Sequence, residues 1–118
     1  MNIKYGDIVV ADFAPQIGAE ITKKRPALVV SRNEINVKGP LCILIPITGN
    51  VQKMLPFHIF VKASEKNGLL CNSKAVPEQI KSFDKRRILK KIGRLEQKYL
   101  QEIQNSTAFV LNQEIAHT

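Results

Sequence analysis

Arg25 and Thr48 are the residues whose types and places best suit chemistry in this chain. Arg25 stands directly before Pro26, and a proline biases the residue ahead of it towards extended backbone. Its guanidinium is therefore expected at the entrance of the strand Ala27-Leu28-Val29-Val30. Thr48 ends another apolar run, Leu41-Cys42-Ile43-Leu44-Ile45-Pro46-Ile47. Both positions are where rigid strands hand over to loops, a frequent place for reactive groups. A guanidinium presents a fork of donors to anionic oxygens, and a threonine hydroxyl can bond one of them. Alone, each has an ordinary structural explanation; their combination is what draws attention.

Other sites are missing. The chain has no glycine-rich phosphate loop, no Gly-x-Ser-x-Gly elbow, no His-Glu-x-x-His and no paired cysteine ligands. His58 and His117 are far apart, which disfavours a His/His acid–base pair, and His58 within an apolar run reads as a structural or surface histidine. Cys42 and Cys71 complete no metal pattern and are read as free, buried thiols without a function. No metal or cofactor is expected.

The elements that must position Arg25 and Thr48 are mostly strands. Ile8–Phe13 forms a first run ended by Pro15, and a polar loop follows from Ala14 to about Lys24. Residues 27–30 and 41–47 make the second and third, with Pro46 suggesting an edge or bulge. Phe57–Val61 makes a fourth and Ser73–Val76 a short fifth. These runs are too short and closely spaced for βαβ units, so a small antiparallel barrel or sandwich is favoured. Around residues 85–92 a short helical turn is expected to lead into a strand. From about Glu96, Leu95, Tyr99, Ile103 and Val110 follow helical spacing with no Gly or Pro to interrupt it. This predicts an amphipathic helix packed on the sheet.

With 118 residues and no break in composition, residues 1–118 read as one domain. The opening Met1–Asp7 meets a glycine and an acid before any apolar run, and no stretch is long enough for a membrane span, so a cytoplasmic protein is expected. The net charge is +8 and the pI about 9.7. Its positive residues cluster at 81–94 and at Lys23-Lys24-Arg25. Such patches attract polyanions, nucleic acid first.

The ordered set of motifs resembles one family along the whole chain. Gly6-Asp7-Ile8-Val9-Val10-Ala11-Asp12-Phe13, then Pro15, Gly18 and Glu20, then Arg25-Pro26-Ala27-Leu28-Val29-Val30-Ser31 is similar to the opening of MazF/PemK-type toxins. The resemblance continues through Asn36, Pro46-Ile47-Thr48, Gln79–Arg87 and Ile92-Gly93-Arg94-Leu95 to the terminal helix. Two departures stand out: Gly49-Asn50 follows Thr48 where many relatives have a serine, and Pro77 precedes Glu78-Gln79.

The resemblance implies an SH3-like small antiparallel barrel of the CcdB/MazF kind with a C-terminal α-helix, assembled as a homodimer. It implies a metal-independent, sequence-specific endoribonuclease acting on single-stranded RNA by attack of the RNA's own 2′-OH. On that basis Arg25 and Thr48 match the catalytic pair, and Glu20, Lys24, Ser73, Gln79 and Lys81 match positions along the RNA. Glu20 is also a conceivable base. A partner is implied too: an acidic, partly disordered antitoxin of the MazE/PemI kind that folds on binding. The cleavage motif would depend on the loops at residues 14–24 and 49–56. Two other functions compete. A CcdB-like gyrase poison needs a tryptophan-bearing tail, and this chain has no Trp. A silent RNA- or antitoxin-binding module would have no need of Arg25 and Thr48 together.

Overall fold

A computed structural model describes residues 1–14, 18 and 23–113. The chain runs β1 (Asp7–Asp12), β2 (Lys24–Val29), α1 (Asn33–Lys38), β3 (Leu41–Thr48), β4 (Ile59–Val61) and β5 (Ser73–Ala75). A 3-10 turn (Pro77–Gln79), β6 (Lys81–Asp84), a second 3-10 turn (Lys85–Arg87), β7 (Ile88–Arg94) and α2 (Gln97–Val110) complete it. The strands form one seven-stranded sheet in the order β4-β5-β3-β2-β1-β7, with β6 beside the first half of β3. Every pairing is antiparallel. This is the mainly β architecture with a C-terminal helix that the sequence predicts, with one qualification. The sheet is not closed: among the described residues no pairing joins β4 to β7.

Alternation along the strands makes two cores, one on each face. Ile8, Leu28, Ile45, Ile47, Val61 and Ala75 point to one face, where Leu95, Tyr99, Leu100 and Ile103 of the α2 segment cover them. Val9, Ala11, Ala27, Val29, Cys42 and Leu44 point the other way and pack with Phe13, Phe83 and Ile88. Arg25, Thr48 and Lys74 have the parity of this second face.

Three polar anchors hold the frame. The Asp7 carboxylate, fully buried, takes bonds from Lys4 N (2.8 Å) and Arg94 Nη1 (2.8 Å), with Lys91 Nζ at 3.3 Å. It ties β1 to β7 through a buried carboxylate whose cationic partners reach the surface. Asn67, also fully buried, donates to Lys62 O and Glu96 Oε1 and accepts from Ser64 N and Leu69 N. Next to it the backbone comes very close to β7. A Cβ at Gly68 would lie 2.1 Å from Ile92 O, and one at Gly93 would lie 2.4 Å from Lys66 O.

Several expectations are refined. Pro46 lies in the most central strand, not at an edge. Its carbonyl accepts from Val76 N at 3.0 Å, so the side lacking an N–H falls where β3 changes partner. Leu44 still pairs with Lys81 of β6, whereas Ile47 pairs with Ala75 of β5. The fourth strand starts at Ile59, leaving Phe57 and His58 ahead of it. The turn-then-strand at 85–92 and the terminal helix are present. Helix α1 and strand β6 are additions to the sequence reading. No helix of the described residues is long and apolar enough to cross a membrane.

Candidate functional site

Two prolines set the geometry around Arg25 and Thr48. Phe13 N donates to Lys23 O and Val30 N to Ile43 O, both at 3.0 Å. Odd positions of β2 therefore bond towards β1, and even positions face β3. Pro26 faces β3 with no hydrogen to give. The register between β2 and β3 runs Val29↔Leu44, Leu28↔Ile45, Ala27↔Pro46 and ends there. Continued past Pro26 and Ile47, it sets Arg25 against Thr48 on the same face. Thr48 pairs instead with Lys74 of β5, and Arg25 with Ala11 of β1. The two strand ends carrying this pair are thus held from outside, not by each other. Both side chains are half-buried, and Arg25 makes contacts of its own in the fold.

Positive charge surrounds this face. Lys24, exposed, opens β2 opposite Asp12; alternation turns it to the other face, at the strand end next to Arg25. Lys81, exposed on β6, pairs with Leu44 and so shares the face; its Nζ lies 5.6 Å from the centre of the Phe83 ring. The Arg87 guanidinium lies 5.2 Å from the same ring. Phe83 is buried in the core, in edge contact with Phe13 at 4.8 Å, and it gathers two cations. Asp84 caps the turn behind it. Hydrogen bonds from the Arg86 side chain, then from Arg86 N, hold its carboxyl down at about 2. Lys85 Nζ donates to Asn36 O.

The remaining sequence candidates are placed unequally. Ser73 is buried and its hydroxyl donates to Cys71 O at 2.9 Å, fixing the turn into β5. Gln79 is half-buried at the end of the first 3-10 turn and is engaged within the fold. Glu20 lies outside the described residues. His58 is structural: its Nδ1 accepts from Leu55 N at 3.1 Å and its Nε2 meets Glu78 Oε2 at 2.6 Å. Both cysteines are free; Cys42 is buried and burial pushes its thiol up, whereas Cys71 is exposed, contrary to the reading that both were buried.

Cys71 lies beside one departure from the family pattern. A Cβ at Gly49 would lie 3.1 Å from Cys71 Sγ, so a serine after Thr48 would be crowded here. Lys74, opposite Thr48, escaped the sequence reading because only register brings the two together. Among the described residues no three His, Cys, Asp or Glu side chains gather to hold a metal. A cavity of about 560 Å³ lies elsewhere, on the helix side, lined by Tyr5, Leu28, Ile103 and Thr107 among others and by none of the candidates above. The site itself is an open basic face, a shape suited to an extended polyanion.

The sequence profile of the family described as PemK-like, MazF-like toxin of type II toxin-antitoxin system matches residues 4–111. The chain belongs to this family. Endoribonuclease MazF9 of Mycobacterium tuberculosis is 34% identical over 98 residues, covering 79% of this chain and 82% of its own. Endoribonuclease EndoA of Bacillus subtilis is 34% identical over 104 residues, 87% of this chain and 89% of its own. Among solved structures, MazF from Deinococcus radiodurans aligns with a TM-score of 0.83 at 24% identity over 95% of this chain and 98% of that one. That likeness concerns the fold.

Proposed function

We propose that the chain is a metal-independent, sequence-specific endoribonuclease of single-stranded RNA, the toxin of a toxin–antitoxin pair. The observation carrying this reading is the β2–β3 register which, continued past its last pair Ala27↔Pro46, sets Arg25 against Thr48 on one face, with Lys81 on that face and Arg87 close to it. Family membership and the endoribonuclease names of its relatives point the same way.

In the reaction, the ribose 2′-oxygen attacks the adjacent phosphorus while the bond to the 5′-oxygen breaks. The products are a 2′,3′-cyclic phosphate and a 5′-hydroxyl. Charge builds on the non-bridging oxygens, where the Arg25 fork stabilises it. Thr48 hydrogen-bonds a phosphate oxygen and holds the in-line geometry. The 2′-OH proton goes to a base and the leaving oxygen takes one up; a guanidinium is a weak acid for that second transfer. Glu20 belongs with the loop that reads the bases. Lys24 and Lys81 neutralise flanking phosphates, and Gln79 addresses a base edge in the splayed strand. Ser73 serves from below, by holding the Cys71 turn. The protein works in the cytoplasm as a homodimer, and an acidic antitoxin neutralises it by occupying the basic face.

The test is digestion of a long mixed-sequence RNA in excess EDTA, with end mapping and Arg25→Ala as control. The reading holds if cuts recur at a short motif, bear 5′-hydroxyl ends and vanish in the variant. Intact RNA after incubation with folded protein would favour the silent binding module. Cuts that persist in the variant would move the active site away from Arg25.

A further inference from the structure

Lys74 is a lysine where lysines are seldom found. It is the middle residue of β5, only 6% exposed, and its three-residue strand is buried throughout. A buried ammonium is normally matched by a carboxylate, because taking an ion out of water is expensive. Among the described residues Lys74 has no ion pair. Its Nζ donates to a neutral partner, the Lys53 carbonyl.

Two placements give this charge a direction. Lys74 stands directly opposite Thr48, so the two side chains leave the sheet on the same face as neighbours. Lys53 lies in the loop that leaves Thr48 and returns to β4, so the ammonium ties that loop back over the end of β3. The loop is secured further along by Leu55 N on His58 Nδ1 and by His58 on Glu78. Across three adjacent strands the order is Lys74, Thr48, then Arg25. The anion that would balance a buried cation is absent from the described protein, and Thr48 and Arg25 are where a phosphate would supply it.

We propose that Lys74 is a positioning residue for RNA cleavage: it sets the loop after Thr48 and contributes a positive charge, matched by no carboxylate among the described residues, beside the phosphate held by Thr48 and Arg25. The inference rests on the endoribonuclease reading given above. It acts through Thr48 and through space, since so little of Lys74 reaches the surface.

Three variants separate the parts. Lys74→Arg keeps the charge, Lys74→Gln keeps a donor for Lys53 O without charge, and Lys74→Met keeps neither. We expect all three to fold, judged by thermal melting and circular dichroism. Cleavage of a fixed RNA should fall about tenfold or more in kcat for Gln and Met, with a smaller change in KM, and should stay within about threefold of the parent for Arg. Folded Gln and Met variants that both cut within twofold of the parent would overturn the proposal, and so would an Arg variant as slow as Met. If Gln cuts as well as the parent and Met does not, the charge has no part and the proposal as stated fails. A second measurement is independent of cleavage: the gain in melting temperature in inorganic phosphate over chloride at equal ionic strength. The parent should show such a gain and Lys74→Met should lose most of it. A parent that cuts no RNA but keeps this Lys74-dependent gain would remove the nuclease reading and leave the anion site. Equal gains in parent and Met would remove the anion site and leave the nuclease.

Discussion

Removing the Arg25 guanidinium is the least disturbing way to interrogate the chemistry, because the residue is half-buried at the end of a strand whose packing is done by Ala27, Leu28 and Val29. Losing one well-placed donor to a developing negative charge typically slows a reaction by two to three orders of magnitude, about 3–4 kcal/mol. We expect Arg25→Ala to show that loss in single-turnover cleavage and to melt within a few degrees of the parent. Arg25 and Thr48 could be singled out in the sequence as candidates because their signals are local: Pro26 biases the backbone before a strand, and Thr48 closes an apolar run. Lys74 was not legible. Nothing in Ser73-Lys74-Ala75 distinguishes an inward lysine from an outward one until the register with Ile47 and Thr48 is known. Ser73 shows the converse, a residue matched by family position whose hydroxyl is spent on a turn.

At the scale of elements, the start of α2 is the joint most open to test. Glu96 precedes the helix and accepts from Ser64 Oγ at 2.7 Å and Asn67 Nδ2 at 3.1 Å. Burial pushes its carboxyl up, but the bonds from Ser64, its own backbone and Asn67 outweigh that, and the net shift is downward. A carboxylate with a folded pKa below its unfolded value adds stability that is fully present above the unfolded value, about 4.3. That stability is lost as pH falls through the folded value. We expect Glu96→Gln to lower the melting temperature at neutral pH and to change it little in strong acid, which flattens the acid limb below about pH 5. An unaltered acid limb would mean that other carboxylates, Asp84 with its value near 2 among them, carry the dependence. The helix itself was readable because fourteen residues without Gly or Pro repeat an apolar stripe. Strand β6 and helix α1 were not. In β6 only Phe83 is buried, and α1 is a six-residue turn whose one buried side chain, Asn36, bonds to Ser31 rather than to a core.

For the whole molecule, the useful quantity is where the net charge of +8 acts. Affinity for a single strand falls with salt in proportion to the phosphates neutralised, with a slope of about −0.7 per contact. Exchanging Lys24 and Lys81 for Glu together should therefore flatten the slope of log K against log salt by about 1–1.5 for a non-cleavable 2′-deoxy analogue. The positions of cleavage in a reactive RNA should not change, because these side chains address phosphates. Binding by fluorescence anisotropy at several salt concentrations gives the slope directly. A parent slope preserved in the double variant would place the RNA on another face. The basic composition announced a polyanion but not its path. That path depends on β6 lying beside β3, which no run of residues announces.

Pro26 has a consequence for how the protein can change. Alanine there would restore a donor aimed at Ile47 O and extend the β2–β3 zipper by one tooth, worth about 1 kcal/mol. It would also loosen the unfolded chain, at a cost of about 0.4–1 kcal/mol. The two nearly cancel, so Pro26→Ala should melt almost where the parent does, yet shift the strand ends that carry Arg25 and Thr48 and, on the proposed reading, cut RNA more slowly. A screen for thermal stability would pass this variant as silent. In this molecule a missing hydrogen bond is the kind of defect that only an activity assay can see.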